Sequence, residues 1–144
     1  MDITQDDYET LARFRYALRC FLRFSEEAAA SVGLSPQQHQ ALLAIQGYGG
    51  NRGVTIGTLA EQLQIHHHST VGLVDRLETK GLIVRVRDPA DHRRVVVQMT
   101  DEGATLLAKL SAAHRSELSG LGPEFIALLQ KLLEGRTTET TSKD

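Results

Sequence analysis

Two β-branched runs of strand length, LIVRVR at 82–87 and VVVQM at 95–99, follow directly on a pair of short helical patterns, and this juxtaposition restricts the fold more than any other feature of the chain. The runs are separated by DPADHRR, whose Pro and Asp carry turn chemistry, so they read as a hairpin with a basic tip. Upstream, Ile56, Leu59, Ala60 and Leu63 sit at i, i+3, i+4 and i+7 behind Thr55, the spacing of a short amphipathic helix with a threonine cap. QIHHH then interrupts the period, and a further helix over about 69–80 carries Leu73, Val74 and Leu77 to one side before Gly81 ends it. Two short helices joined by a few residues make a helix-turn-helix, and the hairpin after the second makes it a winged one.

Longer helices flank this unit. Between 8 and 32, Tyr8, Leu11, Phe14, Leu18, Phe21, Leu22, Ala28, Ala29 and Val32 keep close to one helical face, and Gly33 stops it. Such a helix is roughly 37 Å long at 1.5 Å per residue, more than a small domain needs for its own core. SPQQ at 35–38 supplies a serine cap, a proline at the first helical position and a glutamine at the third, so a second helix begins there and ends in the glycines of GYGGNRG. After the hairpin, Asp101 and Glu102 place acids at the positive end of a helix running to about 118; GLGP is expected to break it, and Pro123 to open a last helix over 123–134 that Gly135 closes. The stretch 136–144 holds no apolar residue and reads as a disordered tail on a single domain of 1–135. The expected class is mainly α with a small antiparallel β wing.

With 41% hydrophobic residues in 144, the chain can build a core without disulfides or a structural metal. Its one cysteine, Cys20, cannot form an intramolecular bridge, and the acidic start MDITQDDYET lacks the basic then apolar pattern of a secretory signal, so the expectation is a cytoplasmic protein. No apolar run approaches the roughly 20 residues needed to cross a bilayer, so no membrane partner is expected. A net charge of -2 argues at first against nucleic acid, but the distribution changes that. Residues 66–94 hold six basic against four acidic residues, a local +2, leaving ten against fourteen, or -4, elsewhere; four of the six histidines share the window.

The segment VDRLETKGLIVRVRDPADHRRVVVQMT, 74–100, resembles the signature of the multiple-antibiotic-resistance regulator (MarR) family. DRLxxKGL closes the recognition helix in that family and DxRxxxVxLT spans the wing, here as Asp91, Arg93, Val97, Met99 and Thr100, with only Met99 departing. SPQQHQALLAI and TIGTLAEQL are similar to the second and third helices, so the likeness covers about 8–134. It implies a homodimer whose helices at 8–32, 101–118 and 123–134 interleave, with a DNA-binding lobe over about 35–99. It also implies a repressor that leaves a palindromic operator on duplex DNA when a small, often phenolic, effector binds or a cysteine is oxidised. One departure stands out: Val71 and Gly72 replace residues that are polar in many relatives, which removes donors from the middle of the recognition helix.

Base reading is therefore expected from the helix start, His67, His68, Ser69 and Thr70, with Arg76 toward the phosphates. For HHH at 66–68 phosphate or base contact is the favoured role, and a merely solvated turn the alternative. Intramolecular metal binding is disfavoured, since consecutive helical residues point about 100° apart. Arg93 at the wing tip is expected to enter a minor groove with Asp91 orienting its guanidinium, against the alternative of an incidental surface pair; Arg94 is a secondary candidate. Arg15, Arg19 and Arg23 read as a solvated stripe. Cys20 lies in an apolar stripe, which favours a packed side chain over a redox sensor. No phosphate-binding glycine loop, nucleophile elbow or paired metal-ligand motif suggests an enzyme, a cofactor or a metal. The function expected is sequence-specific DNA-binding regulation; the alternatives are a winged-helix module that binds protein, and a regulator that senses oxidants through Cys20.

Overall fold

The chain begins its first helix on a reciprocal cap. The Thr4 N–H donates to Asp7 Oδ2 (2.9 Å) and the Asp7 N–H to Thr4 Oγ1 (3.2 Å), which holds the Asp7 carboxyl below its ordinary value. This cap starts α1 (Gln5–Ser31) three residues before the apolar stripe does, and Gly33 at φ 79° follows its end. The computed structural model describes residues 2–137, with side chains through Glu134. In order follow α2 (Pro36–Gly49), α3 (Ile56–Leu63), α4 (His67–Thr79), β1 (Ile83–Arg87), β2 (Val95–Met99) and α5 (Asp101–Thr137). These form two compact units, residues 28–111 and the remainder.

Unit 28–111 is the winged lobe. The capping box expected at Ser35 is present: Ser35 Oγ accepts from the Gln38 N–H (3.1 Å) and Gln38 Oε1 from the Ser35 N–H (3.0 Å). Thr55 caps α3 by accepting from the Thr58 N–H (3.1 Å). Leu42, Ile45, Leu59, Leu73, Leu77 and Ile83 are almost wholly buried in one core, joined by Leu107 and Leu110 from the start of α5. β1 and β2 pair antiparallel, with Ile83 opposite Met99 and Arg85 opposite Val97. A third rung was not legible in the sequence. Val54 exchanges both backbone hydrogen bonds with Val97 (3.0 and 2.7 Å), which braces the wing root on the segment before α3. Gly53, at φ 83°, passes so close to the Val97 carbonyl that a Cβ there has no room.

The remaining unit is built from residues 2–27 of α1 and its leading segment and from 112–137 of α5. Phe14 meets Phe125 edge to face (5.8 Å between centroids), and Phe21 and Phe24 flank the His114 ring, whose Nε2 lies 2.8 Å from Ser25 Oγ. Lys131 Nζ donates to Asp6 Oδ1 (2.8 Å).

Here two expectations fail. The helices proposed at 101–118 and 123–134 are one continuous α5, with Pro123 inside it and the backbone helical past Gly135 to Thr137. A proline inside a helix forfeits one backbone bond and costs about 3 kcal/mol. Burying Leu128 contributes about 1.5–3 kcal/mol, and the half-buried Phe125 edge to face on Phe14 adds about 0.5–1.5 kcal/mol beyond its own burial, which together offset that cost. Of the tail expected at 136–144, residues 136 and 137 are helical and 138–144 lie outside the described residues.

The contact between α5 and the wing root generates a test. Thr100 Oγ1 accepts from the Gly103 N–H (3.1 Å) and donates to the Gly81 carbonyl (2.7 Å), drawing the first turn of α5 so close that a Cβ on Gly103 would collide with the Leu82 carbonyl and Met99 Sδ. Gly103→Ala should lower the unfolding free energy by about 1–3 kcal/mol or more in urea titration. Gly47→Ala, exposed in α2 with nothing within 4 Å of its Cβ position, should raise it by about 0.5–1 kcal/mol. Equal effects at the two sites would contradict this packing.

Candidate nucleic-acid interface

α4 presents two faces of different character. Thr70, Leu73, Val74 and Leu77 point into the lobe core, whereas His67, His68, Ser69, Gly72 and Arg76 line an open groove of about 860 Å³ together with residues of α3 and Gln37 of α2. The helix begins at His67, two residues before the expected start, with His66 as an N-cap that makes no side-chain capping bond. Without a Ser, Thr, Asp or Asn at that position the sequence gives no start signal.

His67, His68 and Ser69 are exposed on the first turn, and Arg76 is exposed further along. Thr70 has to be withdrawn from the base-reading set. Its side chain is fully buried and its hydroxyl donates to the His66 carbonyl (3.0 Å). Position 70 stands three, four and seven residues before Leu73, Val74 and Leu77, so it shares their core-facing stripe. Among the described residues no group of three or more His, Cys, Asp or Glu side chains is arranged around a metal position.

At the wing, Asp91 Oδ1 accepts from both the backbone N–H (3.1 Å) and Nε (3.2 Å) of Arg93. Its carboxylate thereby fixes the start of a side chain that is otherwise 92% exposed. The turn beneath is closed by backbone bonds from Asp88 N–H to the Arg94 carbonyl (2.8 Å) and from Arg94 N–H to the Asp91 carbonyl (3.0 Å). Arg94 is thus tied through its backbone and exposed through its side chain. Arg87 Nη1 donates across the turn to the His92 carbonyl (2.8 Å).

The residue that joins wing to helix, Arg85, was not singled out from the sequence. From β1 its Nη1 reaches Glu78 Oε1 (2.9 Å), its Nη2 reaches Asp75 Oδ1 (2.5 Å), and its backbone N–H donates to Glu78 Oε2 (3.0 Å). Asp75 first and Glu78 second hold the guanidinium pKa above its ordinary value. Arg85 and Arg87, two residues apart, share one face of the strand, so the sequence alone does not say which of them lies level with the acids of a neighbouring helix. The pairing also redraws the charge. Arg85 opposes two of the four acids in 66–94 and Arg93 a third, while the side chains of Arg76, Arg93 and Arg94 stay exposed.

Cys20 lies in α1, half-buried. The Cys20 thiol neighbours the Tyr16 hydroxyl, one helical turn away, and pushes the Tyr16 pKa up. Arg15, Arg19 and Arg23 are exposed, Arg23 pairing with Glu27 (3.3 Å).

A sequence model of the MarR family matches residues 32–94. A protein of Thauera aromatica named for transcriptional regulation of the hcr operon is 32% identical over 99 residues, which are 69% of this chain and 58% of that one, so the chain spans less than two thirds of that relative's length. Among solved structures, a MarR family protein of Bacillus stearothermophilus aligns over 98% of this chain and 100% of its own at TM-score 0.72 and 22% identity. CouR of Rhodococcus jostii, bound to p-coumaroyl-CoA, aligns over 87% of each chain at TM-score 0.66 and 23% identity. A MepR variant of Staphylococcus aureus, bound to an oligodeoxyribonucleotide, aligns over 98% of each at TM-score 0.65 and 20% identity. At these identities the structures are likenesses of fold, and that fold is the winged helix-turn-helix built above from its residues. With the matched segment, the regulator relative and the fold in agreement, the chain belongs to the MarR family.

Proposed function

We propose that this protein is a sequence-specific transcription regulator that binds a palindromic operator on duplex DNA as a homodimer in the cytoplasm, and a repressor released by a small-molecule effector. The observation that carries the reading is the exposed guanidinium of Arg93, aimed by Asp91 from a wing that Arg85 fastens to α4. An arginine held in this way beside an exposed helix suits a minor-groove contact flanking a major-groove one. The MepR variant with its oligodeoxyribonucleotide and CouR with p-coumaroyl-CoA share this fold, which supports DNA as partner and a small molecule as effector.

The partner copy is supported by where apolar surface is left uncovered. Among the described residues, nine of the thirteen large exposed hydrophobic side chains fall in the unit of 2–27 and 112–137, including Tyr8, Leu11, Ile126, Leu129 and Leu133. A monomer rarely leaves so much apolar side chain in water on two helices, and a second copy supplies the matching face. The rival reading from another class, a winged module that binds protein, is separated by titrating random duplex DNA at several salt concentrations; no binding at low salt would favour the rival.

Two further outcomes follow from these arguments. Arg93→Ala should weaken DNA binding and flatten the salt slope by about one unit per lobe, with discrimination lost mainly at A·T-rich flanks; an unchanged slope would remove Arg93 from the interface. Leu129→Asp, at a position already 45% exposed, should leave helix content intact while shifting the sedimenting species to a monomer and making folding independent of concentration. A dimer that survives the substitution unchanged would place the interface elsewhere.

A further inference from the structure

We infer that Arg76 is the side chain through which α4 reads a guanine, and that Gly72 is there to seat it. The inference rests on the DNA-binding reading above and changes the role of Arg76 from holding phosphate to discriminating bases. Gly72 sits in the interior of α4, where glycine is less stable than alanine. Neither backbone nor packing requires it. Its φ is not in the left-handed region, and the three atoms nearest a Cβ built there are Nη1, Nη2 and Cζ of Arg76, at 3.5, 3.8 and 4.0 Å. A methyl there would rest on the guanidinium at ordinary contact distance, and any larger side chain would compete with it for that berth.

The berth moves the charge along the helix. Side chains on a helix lean toward its N-terminus, so Arg76 lays its head beside residue 72, a full turn before its own Cα and on the stripe of His68 and Ser69 in the same groove. The N-terminal turns of a recognition helix meet base edges, and residue 72 lies in the second turn of α4. The guanidinium has no hydrogen-bond or ion-pair partner among the described residues, unlike Arg85 one strand away. Its planar fork of N–H donors fits the O6 and N7 acceptors of guanine. The donors that Val71 and Gly72 lack are thus supplied from the next turn.

The test is selection of duplexes from a randomised library by the full-length protein, followed by affinity measurements on the enriched sequence and on random DNA. The parent should enrich a motif with a guanine in each half-site. Arg76→Lys keeps the charge and loses the fork, so it should lose roughly 5- to 150-fold discrimination at that guanine while random-duplex affinity and salt slope stay within about twofold. Gly72→Val, which fills the berth, should lose preference at the same base pair. If Arg76→Lys enriches the parent motif at full strength and Arg76→Ala weakens all sequences alike, Arg76 is a phosphate contact and the inference is overturned. If the parent enriches nothing and binds no random duplex, the DNA-binding reading itself falls, and the inference with it.

Discussion

The arrangement of the lobe depends on one side chain held between two others: Arg85, donating to Asp75 and Glu78 from the first strand of the wing. A part-exposed ion pair contributes about 1 kcal/mol or less to stability, so its weight is positional. The wing is a two-stranded ribbon, a structure that is marginal by itself in water. It is held at three places: by Val54 at its root, by the first turn of α5 through Thr100, and by Arg85 to the flank of α4. The Arg85 link ties β1 sideways to the helix that would enter a groove, in addition to the core that Leu77 and Ile83 share and the Leu82 N–H bond to the Leu77 carbonyl. A minor-groove arginine and a major-groove helix can engage the same duplex only if the distance between them is fixed beforehand, since each freedom left in the wing would have to be lost on binding.

The same pairing explains how a protein of net charge -2 can offer a basic face. Asp75 and Glu78 lie on the recognition helix, where two unopposed carboxylates would repel phosphates. Arg85 opposes both, and the exposed cations Arg76, Arg93 and Arg94 are left to act outward. Steering of this kind follows local charge, not the sum over the chain.

What could be read from the residues was whatever is encoded locally. The Ser35 and Thr55 caps, the stop at Gly33 and the hairpin after the helix-turn-helix all follow from neighbours within a few positions, and the structure has each. The misreadings have different causes. Pro123 is a local breaker overridden by Phe125 against Phe14, a contact between residues more than a hundred positions apart. Thr70 looked like a reader because its type suits one, while its stripe, shared with Leu73, Val74 and Leu77, faces the core; that signal was present and was outweighed by residue type. The early start of α4 at His67 has no side-chain cap to announce it, and the Arg85 pairing requires a strand register that no local pattern supplies. The Gly72 berth is of the same kind: a glycine in a sequence shows what is missing, and only the structure shows what moves into the space.

The central claim is that wing and recognition helix engage DNA as one body because Arg85 joins them, and a double-mutant cycle on operator affinity between Arg85→Leu and Arg93→Ala tests it most directly. If the joint positions the wing, removing it also removes most of what Arg93 contributes, so the double variant should bind little worse than Arg85→Leu alone, with a coupling of about 1 kcal/mol or more. Losses that add within about 0.5 kcal/mol would mean the wing finds its groove without the joint, and would contradict the account.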